Sequence, residues 1–170
     1  MKKQTKKKHR RLPPASELSK AGISFKACEG NISVIKYDKR RLQLHLPRLV
    51  VFDKTEDLLR NILAHEITSG KGVEFLAYTH IMDMLIDTEE DLAILAKAKV
   101  IDNHTGNDIR VVQMWNDMGT NTPFNYKSKR WRAIVPIMMA HYSSRWIRLY
   151  AECYEKFFSR PWLWISVIAA

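Results

Sequence analysis

Between Ile23 and Phe52 apolar and polar residues alternate. Leu42, Leu44 and Leu46 are interleaved with Arg41, Gln43 and His45, and Ile32 and Val34 with Asn31 and Ser33. Successive side chains of an extended strand point to opposite faces, so this period of two predicts short, half-buried strands. Glu29-Gly30-Asn31 and Tyr37-Asp38-Lys39-Arg40 supply turns, and a small antiparallel hairpin or meander closing near Pro47 is expected. Beyond Asp53 the period lengthens to that of a helix. Asp53-Lys54-Thr55-Glu56 has the form of a capping box, and Leu58, Leu59, Ile62, Leu63 and Ile67 then recur on one side. Ser69-Gly70-Lys71-Gly72 ends that helix, because glycine adopts the left-handed backbone of a helix C-terminus without strain.

A second helix is predicted over Val73 to Ile86. A third begins at Asp87-Thr88-Glu89-Glu90-Asp91, where acids favour the positive end of the helix dipole. A fourth runs from Asn107 to Met118 with Ile109, Val112 and Trp115 as its apolar side. The stretch from Tyr126 to Phe158 is broken only by Pro136, which predicts one long kinked helix or two shorter ones. Strands come first and helices after, with no internal repeat. The expected fold class is therefore α+β, mostly α: short N-terminal antiparallel strands followed by a helical bundle.

Charge alters this picture at the two ends. The chain of 170 residues carries a formal net charge of +10. Residues 1–11 hold seven basic residues and no acid (Lys2, Lys3, Lys6, Lys7, Lys8, Arg10 and Arg11), and residues 126–170 hold eight basic and two acidic. The stretch between them is mildly acidic, with 13 basic and 16 acidic residues. A run of like charge repels itself, so residues 1–14 are expected to form a basic disordered arm ending at Pro13-Pro14. Such an arm suits a nucleic acid, an anionic membrane surface or plain solvation. In the second basic region Lys127, Lys129, Arg130, Arg132, Arg145 and Arg148 are interleaved with Trp131, Tyr142, Trp146 and Tyr150.

That region leads into Lys156, Arg160, Pro161, Trp162, Trp164, Ile165, Val167 and Ile168, the order in which a transmembrane helix begins: cations, interfacial tryptophans, then apolar residues. Crossing hydrocarbon takes about 20 residues, and only nine follow from Trp162 to Ala170. By itself the segment is either a core helix or the first half of an anchor.

Signals for chemistry are weak. His65-Glu66 opens a zinc-protease helix, but the position that must carry the second histidine is Ser69. Ser69-Gly70-Lys71-Gly72 lacks the earlier glycine, the strand and the following Ser or Thr of a phosphate loop. Asp83, Asp87, Glu89, Glu90 and Asp91 lack the glycine-centred spacing of a calcium loop, and capping explains them better. His80, His104 and His141 are scattered, and Cys28 and Cys153 fit neither a metal nor a disulfide framework. Asn31-Ile-Ser33 and Asn103-His-Thr105 are formal glycosylation sequons. Neither a catalytic constellation nor a metal or cofactor is expected.

The segments ASELSKAGISFK, LQLHLPRLVVFDKTEDLLRNILAHE, YTHIMDMLIDTEEDLAILAKAKVIDN and RPWLWISVIAA, in this order from Ala15 onward, resemble the C-terminal part of the plant domain-of-unknown-function-247 family of UPF0481-type membrane proteins. The resemblance implies a soluble region, cytoplasmic in expectation, followed by a C-terminal transmembrane helix. It implies no enzymatic activity and no catalytic residues; some members at grass self-incompatibility loci are thought to act in recognition. It also implies a chain truncated at both ends, with residues 15–160 a partial α+β helical domain and 161–170 the start of a membrane anchor, single-pass or peripheral. The expected function is a non-catalytic, membrane-associated interaction or recognition role, with lipids contacted through the C-terminus and an unknown protein partner. The alternative is a soluble basic protein that binds nucleic acid through the Lys/Arg arm, and nucleic acid is not the expected partner.

Overall fold

The computed structural model describes residues 12–70, 72–120, 128–144 and 153–154. The basic arm from Lys2 to Arg11 and the segment from Lys156 to Ile168 lie outside them. A short helix α1 (Ala15–Lys20) leads into strand β1 (Ser24–Cys28), a 3-10 turn (Ile32–Val34), β2 (Lys36–Asp38), β3 (Gln43–Pro47) and β4 (Leu49–Val51). Helices α2 (Thr55–Ser69), α3 (Glu74–Leu85) and α4 (Glu89–Lys97) follow, then β5 (Ile101–Asn103), α5 (Asp108–Thr120) and α6 (Lys129–Tyr142). This is an α+β fold, with small sheets preceding most of the helices.

The three-stranded sheet has the order β1-β3-β2. β2 and β3 pair antiparallel across the turn predicted at residues 37–40, where Asp38 Oδ1 accepts from the amides of Arg40 (2.9 Å) and Arg41 (3.1 Å). β1, however, runs parallel to β3, with Phe25 beside Leu44 and Ala27 beside Leu46. Alternation of side chains is the same in both arrangements, so periodicity carried no information about strand direction, and at Ile32 and Val34, where it predicted a strand, the Asn31 side chain caps a 3-10 turn instead. A second, two-stranded sheet joins β4 to β5, again in parallel, with α2, α3 and α4 forming the crossover between them.

The core is organised around α3. Nine of its residues are buried, Tyr78, Ile81, Met82 and Leu85 among them, so it is covered on nearly every side rather than along one stripe. α5 crosses it, and the fully buried Trp115 meets Tyr78 edge-on, with ring centroids 5.8 Å apart and planes at 88°. Gly119 of α5 packs directly on Asp83 of α3, where an added Cβ would collide with the carboxylate. Leu44 and Leu46 of β3, Leu18 of α1 and Leu92 and Leu95 of α4 complete the core, which begins with the buried Leu12.

Helix starts follow the predicted boundaries but not always the predicted chemistry. α2 begins at Thr55, yet no side chain caps it: the Thr55 hydroxyl instead accepts from the Phe52 amide at 2.8 Å. A full capping box forms at α4, between Thr88 and Asp91. Pro136 sits inside α6, which accounts for the described part of the long C-terminal helical stretch together with the helical pair Cys153–Tyr154. Among the described residues no helix is long and apolar enough to cross a membrane.

Asp91 does more than cap. Its carboxylate is fully buried and accepts from four donors: the Ser16 amide of α1 (2.7 Å), the Asp87 and Thr88 amides (3.2 and 2.9 Å) and the Thr88 hydroxyl (2.8 Å). It therefore ties the N-terminus of α1 to that of α4. Desolvation acts to raise its pKa, but the hydrogen bonds from Ser16 and Thr88 outweigh it and hold the carboxyl below its ordinary value. The unfolded chain thus takes up this proton at a higher pH than the folded one. The stabilisation is complete above the unfolded pKa of about 4 and is lost as pH falls through the folded value. Asp91→Ala is expected to cost about 3 kcal/mol at neutral pH, and Asp91→Asn to flatten the loss of stability below about pH 4, both measured by urea unfolding.

Candidate functional site

Among the described residues, α2 carries an exposed apolar surface. Its inner stripe, Leu59 and Leu63, is buried, and its C-terminal half is fixed through Glu66. The two carboxylate oxygens of Glu66 accept from the amides of Phe75 (3.0 Å) and Leu76 (2.7 Å), the free N–H groups at the start of α3. Gly70 then closes α2 in the left-handed conformation, with φ 62°. The C-terminal end of α2 is thereby tied to the start of α3.

Its apolar arc is wider than the part covered. At about 100° per residue, Leu58 and Ile62 border the buried stripe on one side and Ile67 on the other. They are 59%, 40% and 43% exposed. Phe52, 57% exposed, adjoins the N-terminal end of α2 and stacks on His104 at 5.1 Å. The loop before α5 meets this end as well: Phe52, Asp53 and Glu56 share a shallow depression with Thr105, Arg110 and Val111, and Arg110 reaches Asp53 at 3.4 Å. Beside Phe52 runs a charged chain in which Asp102 bonds Arg48 at 2.7 Å and His104 at 3.2 Å. The Arg48 hydrogen bond, opposed by desolvation and assisted by His104, holds the Asp102 carboxyl below its ordinary value. The result is an apolar strip with a polar, ion-paired rim, the composition of a protein-binding patch.

A second concavity of about 520 Å³ opens between β2 and α6. It is lined by Ile35, Lys36, Tyr37, Glu74, Lys129 and Ile134. Charges of both signs border it, and desolvation, with Asp38 nearby, raises the Tyr37 pKa. Among the described residues it brings together no nucleophile, base and orienting group.

The residues singled out from sequence take other roles. His65 is exposed on α2, and no group of three or more His, Cys, Asp or Glu is placed to hold a metal among the described residues. Asp91 is the buried clasp described above, whereas Asp87, Glu89 and Glu90 are exposed. Both sequon asparagines serve as turn caps. Asn31 Oδ1 accepts from the Ser33 amide at 2.8 Å, and Asn103 bonds Asp108 at 2.7 Å while accepting from the amide and hydroxyl of Thr105. His80 is buried and His141 half-buried. The membrane-interface residues and the basic arm fall outside the described residues. Sequence reasoning missed the exposure of Leu58 and Ile62, since periodicity shows that a face is apolar and not whether anything covers it. It missed Glu66 too, whose capping contact with α3 spans a turn.

A small α+β helical domain that leaves an apolar, ion-rimmed helix face open is the class of protein this architecture defines. The profile of a plant family described as a plant protein of unknown function, DUF247, matches residues 1–170, and the chain belongs to that family. A UPF0481 protein of Arabidopsis thaliana is 30% identical over 164 residues, covering 94% of this chain and 30% of that protein. The chain thus spans less than a third of that relative's length. No solved structure matches it.

The Glu66 contact has a local signature. Glu66→Ala is expected to destabilise the fold by about 1–2 kcal/mol and to speed hydrogen exchange at the Phe75 and Leu76 amides more than at the amides of α5.

Proposed function

We propose that the chain is a non-catalytic interaction module whose recognition surface is the outer side of α2. The observation that carries this reading is the pair Leu58 and Ile62, exposed on a helix whose C-terminal end is tied to α3. The occupant proposed is an apolar helical segment supplied by polypeptide outside the 164 residues matched in the Arabidopsis relative. The Arabidopsis relative is more than three times as long as the part matched, so in that protein further polypeptide is available to cover this face. A helix laid along α2 would bury Leu58, Ile62 and the Phe52 ring while keeping the Arg48–Asp102–His104 rim in water.

The test mixes this chain with the relative's remaining residues, expressed separately, and measures binding by calorimetry. Micromolar or tighter binding is expected. The double substitution Leu58→Gln with Ile62→Gln is expected to weaken it at least about tenfold while the chain stays folded by circular dichroism, as neither side chain belongs to the buried core. No binding, or binding indifferent to the substitutions, refutes the proposal.

Membrane association is a second reading, favoured by the cations and tryptophans between Lys156 and Ile168. Each Lys or Arg held near an anionic leaflet contributes on the order of 1 kcal/mol, enough for several together to retain a short apolar segment at the interface. In this reading the rest of the chain faces the cytoplasm. Flotation with vesicles is expected to recover the chain only when anionic lipid is present, and deletion of residues 156–170 is expected to abolish recovery. Equal recovery with neutral vesicles excludes this electrostatic attachment.

A further inference from the structure

The outward face of the three-stranded sheet carries an arrangement that none of the surfaces above uses. The parallel register of β1 and β3 sets Lys26 beside His45 and Cys28 beside Pro47. This brings Cys28 Sγ to 3.3 Å from His45 Nδ1. On the other side of β3, β2 places Lys36 opposite His45. The imidazole is therefore flanked by a lysine from each neighbouring strand. It is 8% exposed, whereas Cys28 keeps partial access to solvent. Asp38, two residues along β2, has one carboxylate oxygen occupied by the Arg40 and Arg41 amides.

The far nitrogen of the ring decides the tautomer. His45 Nε2 is buried with no hydrogen-bond partner among the described residues. A buried N–H left unpaired is less tolerable than a buried lone pair left unpaired, so the proton belongs on Nδ1 and the N–H points at the cysteine sulfur. Burial first, and then Lys36 and Lys26, hold the imidazole below its usual pKa, which keeps the ring neutral. A neutral N–H donor at a partly exposed sulfur, with two lysines flanking that imidazole, gives Cys28 a cationic neighbourhood that an anionic reagent would meet.

We propose that Cys28 is a modification site that exchanges with anionic low-molecular-weight disulfides. His45 acts as the positioning residue that donates to the sulfur, and Lys26 and Lys36 attract the reagent. In the reaction the Cys28 thiol gives its proton to water and its sulfur attacks one sulfur of the disulfide. A Cys28–S–S–R bond forms, the original S–S bond breaks, and the departing thiolate takes up a proton to leave as RSH. The cysteine is oxidised and the other half of the reagent is reduced, so no further oxidant is needed.

The test uses the full chain with Cys153→Ser, which leaves Cys28 as its sole thiol. Stopped-flow rates are compared for dithionitrobenzoate, a dianionic disulfide, and dithiodipyridine, a neutral one. Cys28 is expected to react with the dianionic reagent roughly tenfold faster than Cys153 does in a Cys28→Ser chain. His45→Gln is expected to slow both reagents. Lys26→Gln with Lys36→Gln is expected to slow the dianionic reagent selectively. A rate unaltered by His45→Gln in a chain that stays folded by circular dichroism overturns the proposal. Should His45→Gln unfold the chain, the lysine pair decides: loss of the preference for the dianionic reagent supports the site, and a retained preference overturns it.

Discussion

Asp91 lies where the first helix of the chain meets the fourth, and its charge is kept out of water only because four donors converge on it. Two of those donors, the Ser16 and Thr88 amides, come from segments 72 residues apart in sequence, so the carboxylate converts local capping into a long-range constraint. Removing it would strand N–H groups in the interior, a larger penalty than the loss of an ordinary surface cap. The hydrogen bond from Tyr142 of α6 to Glu17 (2.5 Å) adds a second tie on the same short helix. A six-residue helix has little stability of its own, and these contacts with the burial of Leu18 are what fix it.

Glu66 works on α3 as Asp91 works on α1 and α4. Each carboxylate satisfies open amides of a helix that it does not belong to, Glu66 those of α3 and Asp91 that of Ser16 in α1, while Asp91 also caps its own helix; both lie in stretches that invite comparison with a zinc-protease helix or a calcium loop and fail it. Acidic residues near helix starts are ambiguous for this reason: the electrostatics that draws a cation also draws backbone N–H groups. Geometry separates the two, since the donors are already in place.

Much of the fold was legible because hydrophobic period and glycine position are local properties. The start of α2 at Thr55, its stop at Gly70, the onset of α4 after Thr88 and the burial of Val112 and Trp115 on α5 follow from them directly, whereas Ile109, expected on the same side of α5, is 52% exposed. Strand direction was not legible, because Phe25 and Ala27 alternate identically in a parallel or an antiparallel pair. Nor was the capping of α2, where Thr55 turned back to Phe52 although the local pattern favoured a box. Of the candidate site, the apolar residues of α2 were visible and their exposure was not. The proximity of Cys28 to His45 depends wholly on the parallel register, which no spacing in the sequence encodes. Family membership was readable from whole segments, whereas the residues that carried the expectation of a membrane anchor lie outside the described part.

The parallel pairing of β4 with β5 has a consequence for how the chain is made. Leu49, Val50 and Val51 find their partners at Ile101, Asp102 and Asn103, on the far side of three helices. At a synthesis rate of about 5–20 residues per second, β4 leaves the ribosome seconds before the strand that will cover its edge. During that interval a short edge with two valines is open to pairing with any other extended chain.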